Sequence, residues 1–297
     1  MTHSIVRTRL KNMTGLSLAL FLVALLTATT TTGLTAQDAE AFTWDNTSEL
    51  SFVSTGGNAS SSTLGLKAAM TGSGNGNTFK FEVGGIRAES EFRTRTAVGT
   101  EGSFQVREEI RSEVTAESYF AKARYERALG TAFLFAGSGW DRNTFAGVQN
   151  RFATVTGVGA ALIEGDSGHL KADLGATYTI QKDVSPAPGV DEGFGGLRFS
   201  IDASRVLSET ATLGTVVVVD ENVENTDDLR ADWQTSLTVS ISQGLALKTS
   251  FQLLFDNLPA SVGLPLETAG GAATGVTVPV PGNDLDRVFT LTLVIKL

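Results

Sequence analysis

From Phe42 onward the chain alternates apolar and polar side chains with a period of two, the spacing of a strand that has one apolar and one polar face. In "DWQTSLTVSIS", Trp233, Leu237, Val239 and Ile241 share one side, and Gln234, Ser236, Thr238 and Ser240 share the other. "LALKTSFQLLF" sets Leu245, Leu247, Phe251, Leu253 and Phe255 against Lys248, Ser250 and Gln252. "LKADLGATYTI" sets Leu170, Ala172, Leu174, Ala176, Tyr178 and Ile180 against Lys171, Asp173, Thr177 and Thr179. The pattern predicts strands near 42–54, 61–71, 78–89, 115–129, 132–144, 150–163, 168–182, 194–207, 211–221, 229–242, 244–257 and 285–297. Most are far longer than the roughly five or six residues of a strand in an ordinary globular sheet. They match the roughly nine to eleven residues that a tilted strand needs to cross a bilayer.

The connections carry a second pattern. Starting from the first hairpin they read "TGGNAS", "GSGNGN", a polar stretch from Ser90 to Val114, "LGT", "AGVQ", "EGDSG", "DVSPAPGVDEG", "SET", "NVENTDD", "QG" and a long segment from Leu258 to Asp284. Every second connection is short and most of the others are longer, as in outer-membrane barrels with short periplasmic turns and longer outward loops. An unpaired backbone group in lipid costs several kcal/mol, so an all-β chain crosses a membrane only as a closed barrel. The expected fold is therefore all-β, an antiparallel transmembrane barrel of about twelve strands. In a soluble sandwich the apolar faces would instead meet as a core between two sheets, and shorter strands would suffice.

The closing peptide fits this reading. In "DRVFTLTLVIKL", Phe289, Leu291, Leu293, Ile295 and Leu297 share one face to the last residue, where a soluble domain would usually fray into a polar tail. Facing lipid, they complete the last strand of the barrel. The row also resembles the C-terminal signal by which the outer-membrane assembly machinery recognises its barrels, with Leu297 where that signal usually has Phe or Trp.

Within the longer connections, "VREEIRSEV" places Ile110 and Val114 four residues apart, which suits a short amphipathic helix, although a solvated charged loop is favoured. The Gly- and Pro-rich segment 258–284 either folds into the barrel mouth as a constriction or covers the rim. No internal repeat is present beyond the hairpin rhythm.

Composition alters the picture at the N-terminus. Arg7, Arg9 and Lys11 precede the apolar run Leu16–Ala28 and the small-residue stretch "TTTTGLTAQ", the layout of a secretory signal peptide cleaved near Ala36. The run is short for a membrane span, which disfavours an uncleaved anchor. Residues 1–36 are then the signal peptide and 37–297 the barrel. Loss of the signal leaves 20 Lys and Arg against 32 Asp and Glu, a balance of −12. That excess argues against nucleic acid or anionic-lipid surfaces as main partners. The chain has no Cys, 32 Gly, 6 Pro and a mean hydropathy of +0.06, so an exported protein of this size does without disulfide staples.

Two stretches go beyond architecture. "WDNTSELSFVSTGGNAS", Trp44 to Ser60, resembles the opening hairpin of the salt-stress-induced outer-membrane-protein family (YdiY-like, a domain of unknown function). "WDRNTFAGVQNRFATVTGVGAAL", Trp140 to Leu162, resembles that family's central hairpin, with its Arg, Phe and Gly-x-Gly elements. The resemblance implies an outer-membrane barrel and a link to salt or osmotic stress. It brings no catalytic, cofactor or ligand-binding residues.

The residues offer little chemistry of their own. His169 is the one His of the mature chain and lies beside a short turn, where a structural role outweighs that of a general base. There is no Cys and no His pair for zinc. Asp220, Glu221, Glu224, Asp227 and Asp228 cluster in one predicted outer loop, without the Gly and Glu spacing of an EF-hand. "GSGNGN" lacks the Lys and the helix of a phosphate loop. What remains is the polar face. Lys80, Glu82, Lys122, Arg124, Glu126, Lys171, Asp173, Arg198, Asp202, Asp232, Lys248 and Asp256 are the lumen-facing candidates, either pairing to fill the interior or bordering a narrow aqueous path.

The expected protein is a non-enzymatic outer-membrane barrel without cofactor or metal. Its expected role is a narrow passive pore for small solutes or an envelope protein under osmotic stress. Its expected partners are outer-membrane lipid and lipopolysaccharide, the assembly machinery and small solutes. A barrel enzyme that modifies lipid and a soluble exported β-protein or adhesin are the alternatives.

Overall fold

The computed structural model describes residues 42–55, 60–100, 103–144, 146–186 and 192–296. Residues 1–41, which include the expected signal peptide, and Leu297 lie outside the described residues. The strands in chain order are β1 (Thr43–Thr55), β2 (Ser60–Gly74), β3 (Asn77–Thr100), β4 (Ser103–Leu129), β5 (Ala132–Asn143), β6 (Val148–Gly165) and β7 (Gly168–Asp183). They continue with β8 (Gly193–Val206), β9 (Ala211–Asn222), β10 (Leu229–Ser242), β11 (Leu245–Asp256), β12 (Ser261–Glu267), β13 (Ala273–Pro281) and β14 (Leu285–Lys296).

Strands β1 to β11 and β14 form one closed antiparallel barrel of twelve strands, each paired with its chain neighbours, with β14 inserted between β11 and β1. The alternation along the chain is the cause. A strand with one apolar face must keep that face turned one way, and the hairpin turns then set the register. The turn at Asn75-Gly76 has φ of 53° and 72°, the left-handed pair of a type I′ hairpin, which Asn-Gly favours.

One connection differs from expectation, and another gains structure of its own. The segment 90–114 is neither a loop nor a helix but the continuation of β3 and β4, paired in register from Ser90↔Glu113 to Thr100↔Ser103. A spacing of four puts Ile110 and Val114 on one side of a strand as well as of a helix, and the β-branched residues around them favour the strand. Beyond Glu91 on β3 and Ser118 on β4 neither strand has another neighbour among the described residues, so the pair leaves the wall as a ribbon about 30 Å long. The segment 258–284 contains the hairpin β12–β13, a separate two-stranded sheet.

The outer face of the wall is apolar. Phe52 is 65% exposed, Phe289 70% and Leu291 56%, and Leu134, Leu174, Phe199, Trp233 and Ile295 are exposed with them. In water such a surface would drive aggregation, whereas in hydrocarbon it is the stable arrangement. A closed wall with this exterior is a transmembrane barrel, and the protein resides in the bacterial outer membrane.

Candidate functional site

Arg124 on β4 and Asp173 on β7 lie 2.8 Å apart, Nη2 to Oδ2, although β5 and β6 stand between their strands. A contact that passes over two strands follows a chord of the barrel, so the face that carries it is the interior one. Register extends that face round the wall. Glu126, Phe135, Gly157, Gly175, Arg198, Asp220, Arg230 and Asp256 oppose one another in turn from β4 to β11. The last four alternate in charge on four adjacent strands, the arrangement that lets cross-strand neighbours attract rather than repel.

The polar side chains form three groups. In the first, Glu126 is buried and holds three cations: Lys80 at 3.2 Å, Arg124 at 2.8 Å and Lys171 at 3.8 Å. The Arg124 guanidinium also lies 3.8 Å from the centroid of Phe135, and Lys171 lies 5.8 Å from that of Phe133. These rings point inward: Phe133 and Phe135 are 5% and 3% exposed. Glycine makes their room. A Cβ at Gly159 would collide with the Phe133 ring, and one at Gly175 would come within 3.0 Å of Phe135. Charge and aromatic surface thus narrow the lumen between β3 and β7.

The second group lies where the barrel closes. Lys248 on β11 reaches Glu49 on β1 at 2.9 Å, passing β14. Lys67 pairs with Glu82 at 3.3 Å, and Lys122 lies 5.4 Å over the Phe120 ring. The third group occupies the end that carries the long connections. Arg198 grips Asp220 with two hydrogen bonds of 2.7 and 2.9 Å, the bidentate geometry for which guanidinium is built. Arg230 pairs with Asp228 at 3.0 Å and donates to Gln181 on β7 at 3.2 Å. Arg151 pairs with Asp141 at 3.0 Å, and Gln252 donates to Asp232 at 2.8 Å. Asp256 accepts the Leu258 N–H at 3.0 Å. Asp220 and Asp228 are therefore engaged by arginines.

The mouth at this end is crossed by chain. Past β11, Ala260 is buried against Gly147 in the β5–β6 turn, where an added Cβ would lie 2.7 Å from that of Ala260. Gly147 has φ of 79° and Gly282, after β13, approaches the Ala260 carbonyl. Four strands of the wall separate β11 from β6, so Leu258, Pro259 and Ala260 form a strap over the opening. Of the two placements open to this segment, the strap at its base takes the mouth.

At the opposite end, His169 sits between two groups of β8: Ser204 Oγ is 2.8 Å from its Nδ1 and Asp202 Oδ1 is 3.0 Å from its Nε2. Ser204 stands in register between His169 and Gly214, so its backbone is committed to ladders on both sides. The array braces β7 to β8.

Sequence reasoning missed Glu49, Lys67, Asp141, Arg151, Asp220 and Arg230 as interior partners, although strand parity counted from Lys122, Arg124 and Glu126 would have placed them. It also missed Phe133 and Phe135. In "AFLFA" both faces are apolar, so hydropathy does not show which way the rings turn.

A family model described as "Protein of unknown function, DUF481" matches residues 48–266. No curated protein matches the sequence. Among solved structures, the translocator domain of autotransporter NalP from Neisseria meningitidis is similar at 12% identity and a TM-score of 0.38, covering 95% of this chain and 94% of its own. An anion-selective porin from Comamonas acidovorans gives 9% and 0.37, covering 86% of this chain and 100% of its own. OmpT, an outer membrane protein of Vibrio cholerae, gives 10% and 0.34, covering 86% and 97%. Likeness at scores this low says nothing about what the chain carries or binds.

Proposed function

The chain belongs to the DUF481 family, whose function is unknown, and we propose that it is a narrow passive path through the outer membrane for small polar solutes. One observation carries this reading: the chord from Arg124 to Asp173, with the Arg124 guanidinium 3.8 Å from the Phe135 centroid, which lines the lumen between β4 and β7 with charge. A twelve-stranded wall is wider than the barrels that side chains pack solid and narrower than the open porins. Lys80, Glu82, Lys122, Arg124, Glu126, Lys171, Asp173, Arg198, Asp202, Asp232, Lys248 and Asp256 border the path. Lys80, Glu82, Arg124, Glu126, Lys171, Asp173, Arg198 and Lys248 stand in ion pairs, so much of this polar surface is charge-compensated, and the strap over the mouth restricts entry by size.

Planar-bilayer recording of the refolded mature chain tests the reading. A small, voltage-independent conductance is expected, increasing when Arg124 and Asp173 are both replaced by Ala. No conductance above baseline from either protein would sink it.

We also infer that Phe289, Leu291, Leu293 and Ile295, with Leu297 beyond the described residues, are the row by which the assembly machinery takes hold of β14. Their exposure on the outer face supports this. Replacing Phe289 and Leu291 by Ser should then lower the yield of heat-modifiable barrel in cells and leave refolding in detergent intact. Equal losses in both settings would show a purely structural role.

A further inference from the structure

The hydrocarbon-facing wall at the end of the short turns holds a feature that the lumen does not use. Phe79, Phe81, Ala123, Tyr125, Ala136 and Ser138 line a groove of about 300 Å³ across β3, β4 and β5. These positions alternate with the inward Lys80, Arg124 and Gly137, so their side chains look out at lipid. The floor is small, made by Ala123, Ala136 and Ser138. The walls are aromatic, with Phe79 and Tyr125 centroids 4.9 Å apart. The aromatic row runs on through Phe42 to Trp44, at 5.9 and 5.8 Å, as in the girdles that mark a membrane interface.

One outward position nearer the turn stands Arg127, about 7 Å from Tyr125 along β4. Its Nη1 donates to the Asn75 carbonyl at 2.8 Å and to Asn77 Oδ1 at 3.1 Å, and the Tyr125 hydroxyl donates to the same Oδ1 at 2.7 Å. The type I′ turn fixes the Asn75 carbonyl, so the guanidinium is held before any ligand arrives. Arg127 is exposed, and its other nitrogens have no partner among the described residues. Its register neighbours on this face are Asn77 and Leu134, neither of them a carboxylate.

An ordered, uncompensated guanidinium at an interface, beside an aromatic-walled groove that runs into the hydrocarbon, has the chemistry of a lipid site. Short turns mark the periplasmic end, where the leaflet is phospholipid. We propose that this wall holds one anionic phospholipid, its phosphate on Arg127 and an acyl chain in the groove over Ala123 and Ala136. Arginine suits the head because its planar fork matches phosphate oxygens.

Native mass spectrometry of the full barrel, released from micelles doped with phosphatidylglycerol or phosphatidylcholine, tests the site. One phosphatidylglycerol should be retained in preference to phosphatidylcholine. Arg127→Gln should lower that retention about tenfold, the ratio carried by one charge-assisted hydrogen bond. Arg127→Lys should keep part of it, and Ala136→Phe, which fills the groove, should lower it with Arg127 intact. Heat-modifiable migration confirms that each variant is folded, and their conductance should match that of the parent. Equal retention by parent and Arg127→Gln would overturn the proposal. So would displacement of phosphatidylglycerol by equimolar inorganic phosphate, which would make Arg127 an anion contact with no role for the groove.

Discussion

Lys248 Nζ and Glu49 Oε1 lie 2.9 Å apart across β14, so a single ion pair ties together the strands on either side of the one that closes the barrel. The closing seam needs it. β14 is registered with β11 over eleven residue pairs, from Leu245↔Ile295 to Phe255↔Leu285, but with β1 over only four, from Thr47↔Lys296 to Leu50↔Leu293. Both charged groups are largely buried, at 17% and 16% side-chain exposure, so removal of one leaves the other without compensation. Glu49→Gln or Lys248→Met should each cost about 1–3 kcal/mol in urea unfolding from micelles. The double replacement should cost less than the two single changes added together.

The Arg124–Asp173 chord and the Phe135 ring narrow the lumen together, and their removal should have different signatures. Asp173→Ala leaves Arg124 with Glu126 and should raise conductance while lowering stability by about 1–3 kcal/mol. Phe135→Ala opens a cavity beside glycines that cannot fill it, and should lower stability by about 3–5 kcal/mol. Single-channel recording combined with denaturant titration separates the two.

The strap over the mouth can be locked. A Cβ on Gly263 of β12 would lie 3.6 Å from Ser185 Oγ in the β7–β8 connection, which brings the two positions near enough for side chains to be bridged. In the double variant Ser185→Cys and Gly263→Cys, oxidation should form the bond and lower conductance, and a reductant should restore it. Conductance unaffected by the redox state would show that the hairpin does not govern entry.

A charge placed on the outer face reports where the hydrocarbon lies. Leu291 is exposed near the middle of β14, so Leu291→Arg should destabilise the folded barrel in bilayers by about 2–4 kcal/mol. Leu266→Arg, on the hairpin β12–β13, should cost under about 0.5 kcal/mol, as surface changes in water do. Comparable costs at the two positions would contradict the membrane assignment of β14.

Alternation along the chain was enough to place ten of the twelve barrel strands near their observed bounds, and the barrel portions of β3 and β4 with them, because a strand that divides lipid from a polar interior must repeat every two residues. Trp233, Leu237 and Val239 needed no partner to declare their side, and neither did Lys122, Arg124 and Glu126. The ribbon from Ser90 to Val114 is not legible in the sequence because its charges suit a solvated loop equally well, and only pairing between β3 and β4 distinguishes the two. Phe133 and Phe135 escaped because both faces of their strand are apolar, so their direction depends on which neighbours leave room.

By itself, then, the sequence determined the fold class, the barrel strands outside the β3–β4 ribbon and the two faces of the strands that alternate, all of them consequences of local period and turn chemistry. Only the tertiary structure decided that Arg124 meets Asp173, that Ala260 rests on Gly147, and that Arg127 stands at the end of a lipid-facing groove. Those relations join strands far apart in the chain, and they arise from the closure and shape of the barrel, which no local pattern contains.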